Sequence, residues 1–190
     1  GLGTNKTNVG LSASDMGDSL PYVDVGTDVK VVQVAMGSGH TCVLTDTGHV
    51  KCWGANTFGQ LGHNKNYKFW GNRTQHMGDA LPAVDLGPSG RVRQIAAGQY
   101  HTCAVMEATG RVRCWGNNEY GQVGFNTECE FYDKCPVDWS SNSRFRIGLN
   151  ANETLRLVDI PLADTGYQTL KVTAGSGHTC ALIRAAAEAT

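Results

Sequence analysis

The stretch "HTCVLTDTGHVKCWGANTFGQLG" at residues 40–62 returns as "HTCAVMEATGRVRCWGNNEYGQVG" at residues 101–124. Its opening turn occurs three times, as "GSGHTC" at 37–42, "GQYHTC" at 98–103 and "GSGHTC" at 175–180. The segment ahead of it repeats too, "MGDSLPYVDVG" at 16–26 becoming "MGDALPAVDLG" at 77–87. From His40 to His101 the period is 61 residues (101 − 40), and from His101 to His178 it is 77 (178 − 101). The excess falls mainly between Gly124 and Leu155, which reads as an insertion. The units therefore run over about 16–62 and 77–124, then an insertion over about 125–154, then an incomplete third unit over about 155–184 that begins "LRLVDIPLADTG".

Within one unit, apolar alternation and a high content of Val, Thr and Trp predict four short strands, Leu20–Val25, Val29–Ala35, His40–Thr45 and His49–Trp53. Glycine or Asp-rich turns bound each of them. "TDTG" between the last two is hairpin chemistry, because Gly48 takes a positive φ that a β-carbon would penalise. No helix intervenes. Four antiparallel strands repeating at more than about 40 residues fit the blades of a β-propeller, each sheet covering its faces against its neighbours. A β-solenoid is the structural alternative, although its coils are normally shorter.

The repeated residues resemble the regulator of chromosome condensation repeat family, whose blades carry a glycine-rich turn before "HT" and then "G-x-V-x-x-WG-x-N-x-x-GQLG". In the first unit the matching positions are Gly39, His40, Thr41, Gly48, Val50, Trp53, Gly54, Asn56, Gly59, Gln60, Leu61 and Gly62. In the second they are His101, Thr102, Gly110, Val112, Trp115, Gly116, Asn118, Gly121, Gln122 and Gly124. Such members usually close a ring of seven blades. The resemblance implies an all-β fold, a propeller with two complete blades plus most of a third, which cannot close alone. It also implies that His40, His101 and His178 are structural. A catalytic group normally occurs once, whereas a side chain that satisfies crowded backbone groups recurs in every blade.

Six of the seven cysteines fall in pairs. Cys42 and Cys52 lie symmetrically about a turn near Thr47, and Cys103 and Cys114 do so about "EATG", which puts each pair opposite one another on a hairpin, within disulfide reach. Cys129 and Cys135 bracket a short loop in the insertion and form a third expected pair. Cys180 is left without an assigned partner. Disulfides imply an oxidising compartment. The alternatives are reduced, buried cysteines acting as small apolar residues, or zinc held by His40, Cys42 and Cys52, for which no fourth ligand is evident. Three N-glycosylation sequons, at Asn5, Asn72 and Asn152, agree with secretion and N-linked glycans. Trp53 and Trp115, next to the paired cysteines, are expected to cover the disulfides.

The net charge of −1, with no run of Lys or Arg, lacks the electrostatic footprint of a nucleic-acid binder. No apolar stretch approaches the roughly 20 residues that span a bilayer, so membrane insertion is not expected. The chain opens on Gly1 and not Met, so a missing leader carries no weight. Twenty-four glycines against five prolines, spread along 190 residues, fit a chain of short pieces joined by tight turns. No nucleophile with an adjacent base, no carboxylate pair and no phosphate-cradling loop entering a helix is present; "GSG" at 37–39 precedes a strand. The reading is therefore a non-catalytic extracellular or cell-surface module without metal or cofactor, partnered by other proteins or by further copies of itself. The family resemblance supplies the alternative, guanine-nucleotide exchange on a small GTPase. A weaker alternative is a carbohydrate platform built on Tyr67, Phe69, Trp70, Tyr132 and Trp139. Arg91, Arg93, Arg111 and Arg113 alternate along strands and are expected to be solvated.

Overall fold

The computed structural model describes residues 10–88, 90–124, 146–149, 154, 157, 159, 160, 162 and 166–185. The chain is all-β, with four-stranded antiparallel sheets standing side by side as propeller blades. The first sheet contains β1 (Val31–Met36), β2 (His40–Thr45), β3 (Val50–Ala55) and β4 (Phe69–Trp70) in that order. The second contains β5 (Val92–Ala97), β6 (His101–Met106), β7 (Val112–Asn117) and β8 (Arg146–Ile147). β9 (Tyr167–Ala174) and β10 (Thr179–Ala185) pair as a third sheet. Among the described residues only short 3-10 turns, such as Thr74–His76 and Gly78–Ala80, interrupt the extended chain.

Local chemistry closes the β2–β3 hairpin as the sequence requires. Gly48 sits at φ +79, and its N–H reaches the Thr45 carbonyl at 2.9 Å. The His49 N–H is taken by the Thr45 hydroxyl at 3.0 Å. The hairpin register then brings Cys42 opposite Cys52 and Leu44 opposite Val50.

Period-two alternation splits each sheet between two cores. Cys42, Leu44, Val50 and Cys52 face the second sheet and share a cluster with Ile95, Ala104, Met106 and Trp115. Val43 and Trp53, on the opposite face, pack with Met77 and Leu81. Between the second and third sheets lie Cys103, Val105, Val112, Cys114, Val123, Ile160 and Val172. The face of β1 turned away from the second sheet is uncovered, with Val34 56% and Met36 73% exposed.

Two expectations need correction. Leu20–Val25 is extended chain and not a strand. Pro21 removes a ladder donor, and the Asp24 carboxylate caps the Gly26 N–H at 3.0 Å, which curls the segment. Its counterpart at 81–86 keeps a single bridge, Lys51 to Ala83, with the Val84 N–H on the Val50 carbonyl at 2.7 Å. The fourth strand is instead the outer pair Phe69–Trp70, and in the second sheet Arg146–Ile147, both beyond the 16–62 and 77–124 units. Strands of two residues are too short to show any periodicity.

Candidate functional site

The thrice-repeated turn is the joint between blades. Gly37 begins it because a Cβ there would overlap both the His40 ring and the Gly98 carbonyl of the next blade. Gly98 stands in the same relation to His101 and the Gly175 carbonyl. With glycine in place, the rings lie across the junction. His40 Nε2 is 3.0 Å from the Thr102 hydroxyl, and that hydroxyl donates to the Gln60 carbonyl at 2.8 Å. Because the hydroxyl proton goes to Gln60, it accepts from His40, which therefore carries its proton on Nε2. His101 repeats the geometry, with Nε2 2.9 Å from the Thr179 hydroxyl and that hydroxyl 2.7 Å from the Gln122 carbonyl.

Neither relay leaves a charge. Burial holds His40 down to about 4, and the neighbouring His101 adds to the effect. Burial likewise holds His101 at about 4, with His178 adding to it. Both rings are neutral at physiological pH, and their Nδ1 atoms are buried without a partner. A neutral ring whose one proton is committed to a threonine offers no charge to anchor a ligand. Among the described residues no three His, Cys, Asp or Glu side chains gather as a metal would need.

The "WG-x-N-x-x-GQ" turn builds the acceptor side. Asn56 Oδ1 takes the Leu61 N–H at 3.1 Å and Gln60 Oε1 takes the Phe58 N–H at 2.9 Å, so both amides tie the loop to itself. This aims the Gln60 carbonyl at the second blade, where it accepts from Thr102 and from Trp115 Nε1 at 3.1 Å. Asn118 and Gln122 hold the next turn identically, through Val123 and Tyr120. Gln33 and Gln94 complete the joint. Gln33 brackets Ile95, receiving its N–H at 2.9 Å and donating to its carbonyl at 2.7 Å, and Gln94 does the same to Val172 at 3.1 and 3.3 Å. The sequence reading missed these glutamines. Their signal was recurrence seven positions before His40 and His101.

Cys42 and Cys52, and Cys103 and Cys114, are register partners joined as disulfides. Their thiolates are thus not available to zinc. Trp115 does not cover its own blade's disulfide. Successive strand residues point to opposite faces, so it turns from Cys114 into the cluster that holds Cys42 and Cys52. Trp53 turns likewise to Met77 and Leu81. Cys180 is a free, exposed thiol. Asn72 is exposed, while Cys129, Cys135, Asn5 and Asn152 lie outside the described residues.

Among the described loop aromatics, Tyr67 and Trp70 are engaged. Trp70 is stacked between Tyr67 and His76, with centroids at 4.8 and 4.1 Å. Burial pushes the Tyr67 phenol well above its ordinary range and holds the adjacent His63 at about 4. Phe69 is exposed, and Tyr132 and Trp139 lie outside the described residues. Nor are the arginines a free basic patch. Arg91 pairs with Glu107 at 3.1 Å and Arg113 with Asp159 at 2.9 Å. Arg93 donates to the Thr169 carbonyl and Arg111 lies over the Tyr167 ring.

Blades joined in this way define a β-propeller repeat protein. Comparison with known families agrees: models of the regulator of chromosome condensation (RCC1) repeat match residues 31–60, 92–122 and 47–105. The chain belongs to that repeat family. It is 34% identical over 143 residues to human HERC3, a probable E3 ubiquitin-protein ligase, covering 73% of this chain and 13% of that protein. Against human HERC4, also a probable E3 ubiquitin-protein ligase, it is 35% identical over 106 residues, covering 56% of this chain and 9% of that protein. Among solved structures, yeast RCC1 (Prp20) bound to Kap60 superposes with a TM-score of 0.59 at 24% identity, over 87% of this chain and 30% of that one. The chain thus spans less than a third of each of these relatives.

Proposed function

We propose that this chain is a non-catalytic propeller segment, extracellular or cell-surface, that binds other proteins or builds an assembly. The observation that carries the reading is the fate of its repeated polar groups. His40, His101, Thr102 and Thr179 are all spent on blade junctions. Disulfide-linked pairs in both complete blades favour an oxidising compartment, and Asn72 offers an exposed sequon for an N-linked glycan. The bare face of β1 supports completion by further blades, other copies or a partner protein. The two human relatives are named as probable E3 ubiquitin-protein ligases, and this chain spans 9% and 13% of them.

The test is expression with a secretion leader in eukaryotic cells, followed by glycosidase treatment. Recovery from the medium as a folded species that loses mass on glycan release supports the reading, and retention as an unglycosylated aggregate contradicts it. Nucleotide exchange is the second reading, favoured by the structural likeness to yeast Prp20p, a protein studied for its binding to Gsp1p and histones. A nucleotide-release assay across a panel of small GTPases separates the two: no acceleration is expected, and acceleration would replace the first reading with the second.

A further inference from the structure

We propose that Tyr67 is a redox site: a small one-electron oxidant acting on the stacked Trp70 and Tyr67 rings leaves a tyrosyl radical, while the phenolic proton passes to His63 Nδ1. The proposal goes beyond the assembly reading and does not depend on it. The chain from His63 to His76 packs four rings together. Trp70 lies between Tyr67 and His76, with centroids at 4.8 and 4.1 Å and planes 28° and 9° apart. The His63 ring meets Trp70 edge-on at 6.0 Å, and its Nδ1 is hydrogen-bonded to the Tyr67 hydroxyl.

Devices that build a blade recur in each unit, and this one does not. Phe125 stands at the position of His63 in the second unit. Ile147 takes the register position of Trp70, since Gly54 pairs with Trp70 as Gly116 pairs with Ile147. Buried polar atoms without partners call for an explanation, and three gather here: His63 Nε2, Trp70 Nε1 and His76 Nδ1.

Losing an electron turns a weakly acidic phenol into a strong acid, so the hole settles where a base already holds the phenolic proton. His63 is 8% exposed and burial keeps it at about 4, so the ring is neutral at physiological pH and has a lone pair for the phenol. The Cys52 carbonyl bears on the same ring and favours its protonated form, while Lys65 opposes it. Trp70 has no such acceptor among the described residues, its Nε1–H being buried and unpartnered. An indole radical cation formed there keeps its proton and draws an electron from the stacked Tyr67. The oxidant thus gains one electron, Trp70 is restored, Tyr67 loses one electron and one proton, and His63 becomes imidazolium. A reductant of the ascorbate class returns the electron, and His63 returns the proton. Tyr67 and Trp70 both pack against the core that holds Cys42, Cys52 and Trp115, so the site draws oxidation away from the disulfide and the buried indole.

The test is pulse radiolysis of the full chain with the azide radical, which takes one electron from an indole and becomes azide ion. Trp70 and Tyr67 are half-buried, within reach of so small an oxidant. The tryptophanyl absorbance should decay into that of a tyrosyl radical in a step whose rate is independent of protein concentration. Tyr67→Phe should abolish that step. His63→Phe, which installs the residue of the second unit, should slow it about tenfold or more. Tyr22→Phe, at a fully exposed phenol outside this cluster, should leave it unchanged. Because a variant at a buried position can fail to fold, the unsubstituted chain is also measured in heavy water, where a step that moves the phenolic proton slows. An undiminished step in Tyr67→Phe, an unchanged rate in His63→Phe, loss of the step in Tyr22→Phe, or equal rates in light and heavy water would overturn the proposal.

Discussion

Acid should loosen the blade joints through a named histidine. His40 is 3% exposed and held at about 4, against about 6.5 in an unfolded chain. The folded value is the depressed one, so the unfolded chain binds the proton first as pH falls. Stability is complete above about 6.5 and is lost progressively down to about 4. Between pH 7 and pH 5 those two values give a loss of about 2 kcal/mol from His40. His101 and His63 add losses of the same sign. Urea unfolding followed by tryptophan fluorescence at pH 7, 6 and 5 measures the total slope. His40→Gln keeps an N–H donor toward Thr102 and removes the titrating ring, so its loss over the same range should be smaller by about 2 kcal/mol. An unchanged pH dependence in that variant would refute both the buried neutral ring and the relay built on it.

Other perturbations probe the same joints. Gly37→Ala, whose Cβ would strike the His40 ring and the Gly98 backbone, should cost about 2–4 kcal/mol in urea unfolding. Gly121→Ala, with φ +77 but open space around it, should cost only about 1 kcal/mol. Gln33→Ala removes two bonds to Ile95 and should lower stability by about 1–3 kcal/mol, without altering the Cys42–Cys52 pairing. Replacing Cys103 and Cys114 together by serine should cost about 2–3 kcal/mol, read as a lower midpoint than that of the oxidised chain and close to that of the reduced one.

The sequence displayed what local chemistry decides. "TDTG" and its counterpart set hairpins whose registers pair Cys42 with Cys52 and Cys103 with Cys114, and the 61-residue period showed that one device recurs. What it concealed depends on contacts between units. Nothing near His40 announces that its partner is Thr102, 62 positions away, nor that Gln60 turns its carbonyl to the next blade. Adjacency in sequence places Trp115 over its own blade's disulfide. Strand alternation sends it to the disulfide of the preceding blade. Leu20–Val25 reads as a strand by composition, yet Pro21 and the Asp24 turn withhold the donors a ladder needs. The two-residue outer strands depend wholly on a neighbour to pair with.

Non-reducing peptide mapping of the native chain tests most directly the claim that each complete blade is clipped across its own hairpin and joined to the next by the repeated turn. It should recover Cys42 linked to Cys52 and Cys103 linked to Cys114, with Cys180 alkylated as a free thiol. Free thiols at Cys42 and Cys52, or a bridge from Cys42 to Cys103, would contradict it.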